Sequence, residues 1–166
     1  MGLIATFLDS LGITDKSKFL SSFTTTIGRK IYTPFDIGVE TEKHSLWSQI
    51  VICVHEHQHI VQHDREEALF EITYLTDSDS RCRYEIEAYR SNLEINYWRY
   101  GKTPNAKQLA QVLENYGCSE VQISIAAQAL TLANVSIRQG IVTNEASMVA
   151  LGYLNTNLEH LKEVKT

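Results

Sequence analysis

The sequence is short of most features that would assign it to a special class. Three cysteines in 166 residues, Cys53, Cys82 and Cys118, are an odd number at wide spacings. That fits neither a disulfide framework nor a four-thiolate metal site, and free thiols are expected. Positive charge is scarce: 15 Lys and Arg against 20 Asp and Glu leave a formal net charge of −5. With a pI near 5.7 there is no basic footprint for a phosphate backbone, and no nucleic-acid partner is expected. No apolar run reaches membrane-spanning length, and "MGLIATFLDSLG" has neither a basic leader nor a clear cleavage site. A cytoplasmic chain with no membrane span is the expectation. Gly2 and Thr6 satisfy the loose myristoylation pattern, but no polybasic segment follows, so lipid anchoring is not expected. With two prolines and eight glycines, the chain has no repeat, low-complexity tract or Gly/Pro-rich linker, and residues 1–166 read as a single domain.

What is present is a foldable composition, 43% hydrophobic and 21% charged, patterned as an α+β, mainly helical fold. After a short N-terminal helix, "FTTTIGRKIYTPF" is rich in Thr, Ile, Tyr and Phe around Gly28, which predicts a small hairpin limited by Pro34. The core spans about residues 22–100, with two strong helical segments between Ser45 and Tyr100. They are joined by "DREEALFEITYLTDSDS", which reads equally as strand or helix. Residues 105–160 are helical: Asn105 opens "AKQLAQVLENYG", Ser119 with Gln122 resembles a capping box, and Gly140 is a stop. Between these, Ile123, Leu130 and Ile137 repeat every seven residues with Ala126 and Ala133 between them, as in a closely packed core helix.

The chemistry is concentrated in "VICVHEHQHIVQH", residues 51–63. On a helix at about 100° per residue, Trp47, Ile50, Val54 and Val61 form an apolar stripe, and His55 and His59 project together beside it. With Glu56 directly after the first histidine this is HExxH, the spacing at which two imidazoles hold Zn²⁺ and the glutamate reaches a metal-activated water as general base. A histidine-rich polar surface is the competing reading. The apolar, β-branched flank "SLWSQIVICV" weighs against it, because buried histidines need partners. His57 points about 160° or more away from both ligand candidates and is assigned to solvent. His63 lies about 12 Å along a straight helix from His55, too far to share one ion. The metzincin pattern is excluded, since Gln62 and Arg65 stand where it needs glycine and histidine.

A catalytic zinc takes three protein ligands and keeps one position for water. In "RCRYEIEAYRSNLEINYW", Glu85 and Glu87 differ by about 200° around a helix, so only one can face the site. Glu85 has Ile86, Ala88, Tyr89 and Leu93 around it and is expected buried. Glu87 shares its face with Arg90 and Glu94, can pair with Arg83, and is expected on the solvent side.

With this pairing, the chain resembles a minimal gluzincin, a zinc peptidase with HExxH on one helix and a glutamate on the next. "EIEAY" is similar to the ExxAD pattern of HtpX-like members, whose first glutamate binds zinc and falls here on Glu85. "HEHQHIVQ" resembles the HExxHxxQ form of small bacterial and phage members, and "TTTIGRKIYTPF" their short sheet strand. The resemblance covers about residues 22–98 and departs at Tyr89, where the family has an aspartate that orients a zinc-binding histidine. The tyrosine hydroxyl, one turn from Glu85, is the group left for that task.

The resulting expectation is a zinc-dependent peptidase acting on a peptide or protein substrate. His55, His59 and Glu85 are its ligands and Glu56 its general base. Tyr74, Tyr84 and His44 flank the site in sequence as candidate oxyanion donors. The alternative is a non-catalytic metal-binding module, in which a fourth protein ligand such as His63 or Cys82 would close the site. A DNA-binding regulator has only the helical C-terminal part in its favour and the acidic charge against it.

Overall fold

The computed structural model describes residues 24–163; the expected N-terminal helix and the Gly2 motif lie outside the described residues. Strands β1 (Thr25–Ile27) and β2 (Lys30–Tyr32) form the expected antiparallel hairpin, with Thr26 opposite Ile31. Gly28 opens the two-residue loop at φ +58°, a left-handed conformation that glycine adopts without a side-chain clash.

Six α-helices follow. Helix α1 (Leu46–Glu66) is N-capped by the Ser45 side chain, and its buried Gln49 ties down the preceding loop by accepting from Gly38 N and donating to the carbonyl of Val39. Helix α2 (Ala68–Thr76) resolves the ambiguous joint as helix, and Glu67 makes the turn from α1 at φ 51° and ψ −139°. Helix α3 (Ser78–Tyr100) starts on an Asp77 cap and stops at Gly101, which is left-handed at φ +60°. Helix α4 (Ala106–Gln111), capped by Asn105, runs into a 3-10 turn at Val112–Tyr116. Helix α5 (Glu120–Arg138) carries the complete Ser119/Gln122 capping box, and α6 (Glu145–Asn157) follows it.

Helix α3 is the axis of the molecule, touching α1, α2, α5 and α6. One apolar cluster joins Leu93 to Ala110, Leu113, Ala126, Leu130 and Ile137 of the C-terminal helices. The other joins Ile95 to Trp47 and Val54 of α1 and to Ala146 and Leu154 of α6. Being packed on several sides, α3 buries polar residues as well as apolar ones. Glu94, expected to face solvent, is buried, and its Oε1 accepts from Arg90 Nε at 2.8 Å and from the Thr143 backbone N–H at 3.1 Å. The three cysteines are free, as expected. No described helix is long and apolar enough to cross a membrane.

Candidate metal centre

The i, i+4 spacing does bring His55 and His59 together: their rings meet edge to face with centroids 5.1 Å apart. Glu85 approaches both from α3. Its Oε2 lies 3.5 Å from His55 Nε2 and its Oε1 3.4 Å from His59 Nε2. All three side chains are buried, Glu85 completely. One ligand atom from each falls within 4.8 Å of the others, and among the described residues no fourth Cys, His, Asp or Glu joins them. A tetrahedral ion with bonds of 2.0–2.1 Å sets its ligands about 3.3 Å apart, close to the two separations observed. Glu85 Oε2 is also buried without a hydrogen-bond partner, an arrangement a cation would satisfy and an apolar surrounding would penalise. The donor set of two imidazole nitrogens and a carboxylate therefore fits a divalent metal.

Without an ion, the same three groups neutralise one another. Burial alone would raise the Glu85 carboxyl, but the adjacent His59 and His55 override it and hold it well below the usual carboxylate range. Burial correspondingly opposes a charged His59, yet the Glu85 carboxylate raises that imidazole to about 9. A protonated His59 is the counter-charge the protein itself can offer to Glu85.

Two amides orient the imidazoles. Asn92 Oδ1 lies 3.2 Å from His55 Nδ1 and Gln62 Oε1 lies 2.8 Å from His59 Nδ1. Amide oxygens only accept, so each Nδ1 carries the proton and each Nε2 turns its lone pair toward Glu85 when neutral. The Gln62 orientation is itself fixed, because its Nε2 donates to the Tyr84 carbonyl and to Glu87 Oε2, both at 3.0 Å. This corrects the expected place of Glu87, which faces the end of α1. There it takes two hydrogen bonds from Arg65 at 3.1 and 3.0 Å and one from Gln58 at 3.0 Å. Arg83 bonds Ser80 instead. The packing of α1 against α3 thus decides the partners of Glu87.

Glu56 is buried beside the three ligands but outside their cluster. The Thr26 hydroxyl of β1 lies 2.8 Å from Glu56 Oε2 and 3.1 Å from the Glu56 carbonyl, so the hairpin positions this carboxylate. Tyr74, from α2, donates to Glu85 Oε1 at 2.5 Å. The other two oxyanion candidates point elsewhere: Tyr84 bonds Glu66 and Thr73, and the His44 ring packs tilted against Phe35. Tyr89 meets the site through its ring, edge to face with His55 at 4.7 Å. The Glu85 charge, then burial, pushes Tyr116 well above the ordinary tyrosine range, which brings a residue of the C-terminal part to the site.

Neither proposed fourth ligand is available. His63 Nδ1 sits 2.5 Å from Glu71 Oε1. Cys82 packs with Cys118 and is not among the clustered ligand atoms; burial, then that neighbouring thiol, pushes its own thiol up to about 12. His57 is half-buried and takes no part in the cluster. Asn92, Thr26 and Tyr116 have no signal in the sequence, whereas Gln62 is the glutamine of HExxHxxQ. No protein-family model, curated protein or solved structure matches the chain.

Proposed function

We propose that the chain is a zinc-dependent peptide-bond hydrolase of the gluzincin kind, with His55, His59 and Glu85 as ligands and Glu56 as general base. The observation that carries this reading is the buried Glu56 carboxylate, held by Thr26 next to a three-ligand cluster that it does not join. A purely structural metal site has no use for such a group and is closed by a fourth protein ligand. Zinc, when bound, supplies a Lewis acid that acidifies water and polarises the scissile carbonyl. Thr26 occupies Glu56 Oε2, and no described residue bonds Oε1, so Oε1 is the atom that takes a proton from water and returns it to the leaving amine. Asn92 and Gln62 keep both Nε2 lone pairs turned inward throughout.

Glu56→Gln tests this directly. It keeps size and most hydrogen bonding, so it should retain stoichiometric zinc and fold while hydrolysis of a peptide library falls by several orders of magnitude. The substrate used must be one that the wild type cleaves and a chelator protects. Equal cleavage by both proteins refutes the general-base role, and absence of any cleavage by metal-loaded wild type favours a metal-binding module without activity.

A further inference from the structure

Helix α5 has two apolar stripes. The inner one, Ala126, Leu130, Ala133 and Ile137, is buried against α3 and α4. The outer one consists of Val121, Ile125, Leu132 and Val135, which are 70, 55, 71 and 55% exposed. With Gln128 these positions step by 4, 3, 4 and 3 residues, the spacing that keeps a seam on one side of a helix for a partner helix. Scattered surface apolar residues are ordinary, but a continuous stripe nearly the length of a helix marks an interaction surface.

The occupant is indicated by symmetry and charge. Between its ends α5 carries no charged residue: Glu120 and Arg138 are its only two, and neither makes an ion pair among the described residues. At about 100° per residue both fall on the same edge of the outer stripe. The stripe is nearly palindromic about Gln128, with Val121 and Val135 seven residues to either side and Ile125 and Leu132 three and four away. An antiparallel two-fold pairing sets same edge against same edge. With the axis at Gln128 it sets Val121 level with the partner's Val135, Ile125 within one residue of the partner's Leu132, and Glu120 two residues, about 3 Å along the axis, from level with the partner's Arg138, within reach of those long side chains. A parallel pairing would face that edge with Gln122, Ala129 and Ser136 and leave both charges unpaired. Such a self-complementary patch is what an isologous dimer requires.

We propose that the outer face of α5 is a homodimer interface, in which α5 packs antiparallel on α5 of a second copy about a two-fold axis at Gln128. The full chain, as purified, is examined by sedimentation equilibrium over about 1 to 300 µM, the range in which a small helix-pair interface associates. Wild type should be dimeric in the upper part of that range. Leu132→Glu, at a position already exposed in the monomer, should leave the circular dichroism unchanged and weaken the dimer more than about 100-fold by putting a charge in the seam. Glu120→Arg and Arg138→Glu should each weaken it roughly tenfold by replacing two attractions with two repulsions, and the double reversal should restore wild-type affinity. A wild type that stays monomeric overturns the proposal. So does a dimer indifferent to Leu132→Glu, and a double reversal no better than the singles overturns the antiparallel register.

Discussion

The imidazoles of His55 and His59 are held by groups outside the candidate ligand cluster. Gln62 holds His59, and Glu87 with the Tyr84 carbonyl holds Gln62, so metal affinity should decline in steps with distance from the centre. Glu85→Ala removes a ligand and should abolish tight binding. Gln62→Ala and Asn92→Ala should each weaken it about 10- to 100-fold, the range seen when groups that orient a ligating histidine are lost. Glu87→Ala should sit at or below the low end, near tenfold, since Gln62 keeps its Tyr84 anchor. Competition with a chromogenic chelator reads all four; a Glu87→Ala protein that loses metal more completely than Glu85→Ala would reverse the assignment. The His55, His59 and Glu85 cluster is legible in the sequence because each choice is local: an i, i+4 pair, and a glutamate whose helical neighbours are apolar. Glu87 and Asn92 are not legible in that way, because helical phase gives a residue's direction but not which helix lies opposite.

At the scale of elements, the joint between α1 and α2 is the strained place. Glu67 adopts φ 51° and ψ −139°, a region essentially reserved for glycine, and a side chain there costs about 1–3 kcal/mol. Glu67→Gly should relieve it. After the extra freedom glycine gives the unfolded chain, the net gain is about 1 kcal/mol, or about 2–4 °C in Tm. An unchanged or lower melting temperature would show that the Glu67 side chain stabilises the joint by more than its backbone strain. The sharp turn brings α2 back over the candidate metal centre, where Phe70 and Tyr74, one helical turn apart, approach the His59 ring. This explains why "ALFEITYLT" is ambiguous as sequence: its Phe, Ile, Thr and Tyr favour a strand locally, and only their fit against α1 and α3 makes the segment a helix. The Ser119 cap needs no such context. Ser119→Ala should lower stability by about 1 kcal/mol, read as a shift in denaturant midpoint without a change in slope.

Across the whole molecule, the two apolar clusters meet on α3, and the candidate ligands His55, His59 and Glu85 join α1 to α3. Metal and core therefore stabilise different contacts. Without an ion the Glu85 carboxylate still has His59 as counter-charge, and the clusters around Leu93 and Ile95 are intact, so chelation should leave a folded protein that melts earlier. Binding confined to the native state stabilises it by about 4 kcal/mol when free metal is 1,000 times its dissociation constant, which for a chain of this length is about 10 °C in Tm. Stoichiometric zinc should restore that shift in the wild type and in Glu56→Gln, but not in Glu85→Ala. The comparison separates holding a metal from using it, because Glu56 lies outside the ligand cluster. If chelation and zinc leave the wild-type melting temperature unchanged, the three side chains are a buried ion-pair network, and the catalytic proposal falls with the metal.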